Sequence, residues 1–206
     1  MKRCFRNGFS GMFAALFLSL AGTVFGAGSA TLDNLQAAYN GESNAKARYE
    51  AFAVKADEEG VKGVAALFRA AAKSESIHAV KHAAAIKKLG AEAAATVGKP
   101  EVKTTRENLE AALKGEIAEK DTMYPAFIKQ AEADGNAGAA MSFKGALAAE
   151  AGHAKLFRQA LDEFESWKAP GKTFLVCLVC GYTTPDMATK QCPVCAAPRS
   201  KFDLIK

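Results

Sequence analysis

Glu75-Ser76-Ile77-His78 and Glu150-Ala151-Gly152-His153 are two copies of one short pattern, each preceded by a lone glutamate, Glu42 and Glu116, at spacings of 33 and 34 residues. On a helix, Glu-x-x-His sets a carboxylate oxygen and an imidazole nitrogen on one face, one turn apart, where both can bind one metal ion. Two such pairs, with a partner glutamate on each of two further helices, describe a site for two metals inside a four-helix bundle. One Glu-x-x-His alone on an alanine-rich helix is ordinarily a solvated face. Here the doubling and the matched spacing favour metal, and the motif uses two of only three histidines in the chain.

Working outward, the helices around these motifs are read from their stops. The first runs from Thr31 to about Glu59 and ends at Gly60; the second from Val61 to Leu89, before Gly90. Thr104 with Glu107 forms a capping box that opens a third helix reaching Ala133, before Asp134-Gly135. The fourth is expected from Ala137 to Trp167. In each, the glutamates fall on the apolar stripe, as in Phe143, Ala146, Glu150, His153, Phe157. Carboxylates at core positions are costly unless paired or metal-bound. His82, one turn beyond His78, reads as a solvated group or one that supports the ligands. Glu119 breaks the repeat, because the first half has Ala45 where the second has this carboxylate. Five glutamates carry −5, against +4 for two ferrous and +6 for two ferric ions, which suits a site that cycles between them.

The chain of 206 residues is long enough for one such bundle plus a small second unit. Residues 1–27 read as a signal peptide: Lys2, Arg3 and Arg6, an apolar run from Gly11 to Phe25, then small residues, with cleavage at 26, 27 or 29. An uncleaved anchor or a buried helix are the other readings. Removing three positive charges from the formal +5 leaves +2. No basic stripe with interleaved aromatics argues for nucleic acid. Export implies a periplasmic location. Cys4 departs with the leader, so the other four of the five cysteines lie within the last thirty residues.

Those four form two knuckles, Cys177-Leu178-Val179-Cys180 and Cys192-Pro193-Val194-Cys195, after a linker Lys168-Ala169-Pro170-Gly171-Lys172. Paired Cys-x-x-Cys motifs direct four thiolates at one tetrahedral ion, zinc or iron. An exported chain also leaves disulfides open. The neighbouring dinuclear site favours iron over zinc, because an electron relay must change valence. The expected domains are the bundle, 28–169, and the cysteine module, 170–206.

Gly41-Glu42-Ser43, Gly115-Glu116-Ile117-Ala118-Glu119, Met123-Tyr124-Pro125, the two Glu-x-x-His motifs and the two knuckles together resemble the rubrerythrin family over residues 31–205. The resemblance implies an all-α, ferritin-like four-helix bundle with a C-terminal rubredoxin-like domain. It implies two irons held by Glu42, Glu75, His78, Glu116, Glu119, Glu150 and His153. A third iron would sit on Cys177, Cys180, Cys192 and Cys195. Tyr49 and Tyr124 match the family's tyrosines beside the di-iron site, although packing in a bundle core would also account for them.

The function expected is reduction of hydrogen peroxide to water in oxidative-stress defence, with electrons relayed through the rubredoxin-type iron and Glu119, Tyr49 and Tyr124 as catalytic side chains. The alternative is a ferroxidase or iron-storage bundle, which requires neither Glu119 nor the module. A signal peptide points to a periplasmic electron donor. Counting about 21 Å of helix from His153 to Trp167 and a linker of at most about 17 Å, the module reaches its own site awkwardly. A head-to-tail homodimer, in which each module serves its partner, is therefore expected.

Overall fold

The computed structural model describes Met1 and residues 29–206; the rest of the expected signal peptide lies outside the described residues. Five α-helices, α1 (Ser29–Glu58), α2 (Lys62–Lys88), α3 (Thr105–Ala118), α4 (Tyr124–Ala133) and α5 (Ala137–Asp162), make up the bundle. They are the four expected helices, the third being divided into α3 and α4 by one π-helical turn, Glu119–Met123. The division has a covalent cause. Pro125 has no N–H to give the carbonyl four residues back, and its ring crowds that carbonyl. The wide turn absorbs the conflict, with the Tyr124 N–H donating to the Glu119 carbonyl five residues earlier.

α1 packs along α2, and α3 and α4 along α5. A long crossover, residues 89–104, joins the two pairs. It has no regular structure, yet it is fastened to α1 by three amides one turn apart. Gln36, Asn40 and Asn44 accept from the N–H groups of Ala94, Thr96 and Gly98 at 3.2, 2.8 and 3.0 Å. The crossover's exposed backbone thus gains partners that helix or sheet would otherwise supply. At its end the expected capping box is present, Thr104 and Glu107 bonding each other's backbone N–H.

The bundle's apolar interior has two parts. One gathers Phe52, Phe68, Leu109 and Phe157; the other Leu35, Ile86, Tyr124 and Phe143. The mid-helix glutamates lie between them.

α5 stops five residues before the expected end. A 3-10 turn, Phe164–Trp167, then directs the chain back across the start of α2, where Gly63 admits it: a Cβ there would stand 2.6 Å from the Trp167 carbonyl oxygen. Trp167 is buried against Phe174. A three-stranded antiparallel sheet follows, β1 (Phe174–Cys177), β2 (Thr183–Thr184) and β3 (Phe202–Ile205), ordered β2-β1-β3, with Leu175 opposite both Thr184 and Leu204. β1 rests on α2. The module therefore lies on its own bundle, which corrects the expectation that it reaches that site awkwardly. The helix ends early, and the fourteen residues from Glu163 to Val176 can span up to about 46 Å. Among the described residues no helix is long and apolar enough to cross a membrane.

Candidate functional site

Six side chains meet at the centre of the bundle, all buried: Glu42 from α1, Glu75 and His78 from α2, Glu116 from α3, and Glu150 and His153 from α5. They form two groups sharing two members. His78 Nδ1 lies 3.5 Å from Glu42 Oε1, 3.0 Å from Glu75 Oε2 and 3.1 Å from Glu150 Oε1. His153 Nδ1 lies 3.3 Å from Glu75 Oε1, 3.4 Å from Glu116 Oε2 and 3.0 Å from Glu150 Oε2. Glu75 and Glu150 thus offer one oxygen to each group. Glu42 and Glu116 serve one group apiece.

Whether these residues suit metal is tested by their unmet polar atoms. Ten buried side-chain nitrogen and oxygen atoms among the described residues lack a hydrogen-bond partner. Eight belong to this cluster, including both oxygens of Glu75 and Glu150 and the Nδ1 of each histidine. Orphaned groups at such density would cost several kcal/mol in a dry core. Two divalent cations would meet all eight, with hard oxygens and imidazole nitrogens of the kind that bind iron.

Charge crowding gives the same answer. Burial, reinforced by Glu150, raises the Glu75 acid above its usual range, and burial brings Glu116 to about 8 although His153 opposes the rise. For both histidines burial disfavours the cation, but the facing carboxylates outweigh it and raise His78 and His153 well above the ordinary value. Burial would raise Glu42 too, yet His78 and then His82 hold it well below the carboxylate range. The protein alone keeps protons where cations would stand.

Glu119 belongs to neither group. It opens the π-helical turn, half-buried, with its acid raised first by burial and then by Glu42 and Glu116. The tyrosines contact the outer carboxylates: Tyr49 donates to Glu116 Oε1 at 2.5 Å, and Tyr124 to Glu42 Oε1. Their surroundings differ. Phe52, Phe68 and Phe157 enclose Tyr49. The Tyr124 hydroxyl stands 3.2 Å from His82 Nε2, and His82 Nδ1 stands 2.9 Å from Ser142 Oγ, which borders a surface cleft. His82 thus supports the site rather than facing solvent. Ser142 was missed in the sequence, since nothing marks one serine on an alanine-rich helix.

The cysteine module closes the other side. Its four sulfurs come together, Cys177 and Cys195 at 3.6 Å and Cys180 and Cys192 at 3.5 Å, with no disulfide. Those separations suit the edge of a tetrahedron with metal–sulfur bonds near 2.3 Å, roughly 3.8 Å. Burial pushes the Cys177 thiol to about 11, and it would also raise Cys195, which the Ala197 N–H and the neighbouring thiols bring below its ordinary value. A cation at the centre favours the thiolates.

The module also touches both site histidines. His78 Nε2 lies 3.1 Å from the Cys180 carbonyl oxygen, and His153 Nε2 lies 3.2 Å from Thr183 Oγ1, whose hydroxyl donates to the Gly181 carbonyl. An Nε2–H donated outward leaves each Nδ1 lone pair for the centre. Gly181 makes this approach feasible: its φ is +83°, and a Cβ would overlap His78 Nε2 and lie 2.5 Å from Ser74 Oγ.

Known proteins resemble this chain over both of its parts. The family model described as "Rubrerythrin" matches residues 33–161, and the model described as "Rubrerythrin, rubredoxin-like domain" matches residues 176–203. Nigerythrin of Nitratidesulfovibrio vulgaris is 36% identical over 173 residues, 84% of this chain and 85% of that protein. Rubrerythrin-2 of Clostridium acetobutylicum is 37% identical over 84% of this chain and 95% of its own. A structure of fully reduced, all-ferrous nigerythrin superposes with a TM-score of 0.79 at 37% identity, covering 90% of this chain and 91% of that one. A Mycobacterium tuberculosis bacterioferritin, TM-score 0.62 at 21% identity over 67% of this chain and 87% of its own, shares the bundle fold. With both models matched in order, and with a carboxylate–histidine centre and a four-cysteine centre in contact, the chain belongs to the rubrerythrin family, a di-iron protein with a rubredoxin-like domain.

Proposed function

We propose that this chain is a non-haem peroxidase that reduces hydrogen peroxide to water, H2O2 + 2e− + 2H+ → 2H2O, in oxidative-stress defence. The observation that carries the reading is the hydrogen bond from His78 to the Cys180 carbonyl, which joins the two metal centres through one imidazole. Iron storage has no use for such a contact. When bound, the iron pair would supply the two electrons and the module's iron would return them singly.

The protein's own part is to hold that pair and to bring protons to a dry site. Glu42, Glu75, Glu150 and His78 would hold one iron, and Glu75, Glu116, Glu150 and His153 the other. Glu119 is the proposed fifth carboxylate, which takes the ligand charge to −5, between the two oxidation levels. Cys177, Cys180, Cys192 and Cys195 would hold the relay iron. Protons arrive along the buried chain: Ser142 donates to His82 Nδ1, His82 Nε2–H to the Tyr124 oxygen, and the Tyr124 hydroxyl to Glu42 Oε1. Each hop moves a proton one step inward, and Tyr49 has no comparable chain behind it.

We further propose that the signal peptide delivers the protein to the periplasm, where a periplasmic carrier donates the electrons. The dimer is proposed in exchanged form, the segment Lys168–Lys172 letting a module close on a second chain with the same contacts it makes here.

Iron analysis and a peroxide titration test the function. Purified protein should carry about three irons per chain, and one peroxide per reduced di-iron centre should reoxidise it with no iron taken up or lost. Uptake of added iron during reoxidation would instead show a ferroxidase.

A further inference from the structure

Two clefts on the bundle surface share Lys81 and Met141 and so form one trough between α2 and α5. One, about 470 Å³, ends at the module, where Val194 and Cys195 form part of its wall; the other, about 210 Å³, runs on past Lys88. Two properties distinguish it. Exposed apolar side chains line it, Met141 at 73% and Val194 at 38% exposure. Its charge has one sign: Lys81, Lys88 and Lys144 line it, and no acidic side chain does. Lys144 is paired with Glu132, but among the described residues no carboxylate lies within ion-pair distance of Lys81 or Lys88.

From this trough we infer a docking surface for a small acidic one-electron carrier protein, whose redox centre would be seated beside Cys195. The inference rests on the relay reading above and adds to it the entry face and the charge of the donor. Unpaired lysines beside exposed apolar side chains steer an acidic partner and exclude a basic one. The end wall is where an electron has least distance to cover, because Cys180 and Cys195 line it. The step is a bare electron transfer: the carrier loses one electron, the ferric thiolate centre gains it, and no bond forms or breaks.

The probe is a plant-type [2Fe–2S] ferredoxin of low isoelectric point, a one-electron carrier of low potential. Calorimetry of oxidised ferredoxin with the oxidised full-length holoprotein, where no electron can flow, gives the affinity; stopped-flow mixing with reduced ferredoxin gives the rate of bleaching of the iron–thiolate colour. Lys81→Glu with Lys88→Glu should weaken binding and slow bleaching by about tenfold or more, and should flatten the salt dependence seen in the unaltered protein. Lys114→Glu, which borders another cleft, should change neither. Equal affinity and rate in the double variant, with dithionite bleaching intact, overturn the docking surface alone. Failure of dithionite to bleach the unaltered protein overturns the relay reading and the docking surface with it.

Discussion

Tyr49 and Tyr124 each donate to an outer carboxylate of the di-metal cluster, and their difference lies in what stands behind them. Behind Tyr49 are three phenylalanines; behind Tyr124 are His82 and Ser142. Tyr124→Phe should therefore lower peroxide turnover by about a hundredfold, within the usual range for a lost proton-transfer group. Tyr49→Phe should lower it only a few-fold; it removes one buried hydrogen bond where Tyr124→Phe removes two, at about 1 kcal/mol of stability each. Steady-state peroxide consumption and thermal melts of the two variants separate these effects; equal loss of turnover would contradict the proton route. The crowded carboxyls make a second prediction, for metal-free protein. Glu116 is raised to about 8 in the folded chain, so the folded state holds a proton that the unfolded chain releases above about 4.5. The stability this proton lends is complete below pH 4.5 and disappears as pH rises through 8, and the raised Glu75, His78 and His153 act in the same direction. Chelated protein should melt at a steadily lower temperature from pH 5 to pH 8, whereas iron-loaded protein should not show that decline.

At the scale of elements, the module's first knuckle and the face of α2 form one unit that Gly181 holds together. Gly181→Ala places a methyl group on His78 Nε2 and forces a side chain into the left-handed region, at a cost of about 1–2 kcal/mol before any overlap is counted. The module should lift from α2, slowing reduction of the iron pair while both metal centres stay occupied; iron content together with the rate of di-iron reduction checks it. Much of this scale is legible in the sequence. The repeated Glu-x-x-His motifs, the capping box and the glycine stops locate the helices because each is local chemistry with a fixed spacing. The π-helical turn is not legible, since Pro125 reads equally well as a kink or as the first turn of a new helix. Nor is the crossover's attachment, because Gln36, Asn40 and Asn44 read as an ordinary polar helix face until the distant segment they bind is in place. Glu119 is singled out by the break in the repeat. What it contacts depends on the geometry of the turn, which leaves it half-buried and outside both ligand groups.

At the scale of the whole molecule, the question is which chain's module reduces which chain's metal pair. Sequence reach alone argued against a module serving its own bundle, and the early end of α5 with the return at Trp167 removes that objection. The interface has the same chemistry whether it closes within a chain or between two, because the contacts of Ser74, His78 and His153 with residues 180–183, and those of Arg69 and Lys73 with Lys206 and Asp203, are indifferent to how the linker is routed. Exchange then depends on the hinge. Residues 168–171 are exposed, and Gly171 has a φ of +101° that frees the chain's direction, so opening the hinge gives up few contacts. Two inactive variants, Glu75→Ala with a damaged metal pair and Cys177→Ser with a damaged relay, are mixed under conditions that let chains exchange. In the proposed exchanged dimer, the intact module of the first closes on the intact pair of the second, and activity should return to up to about half per mixed dimer, since one of its two sites is complete. Mixed dimers that form and stay inactive would show that electrons pass within one chain, along the His78–Cys180 contact of the closed form.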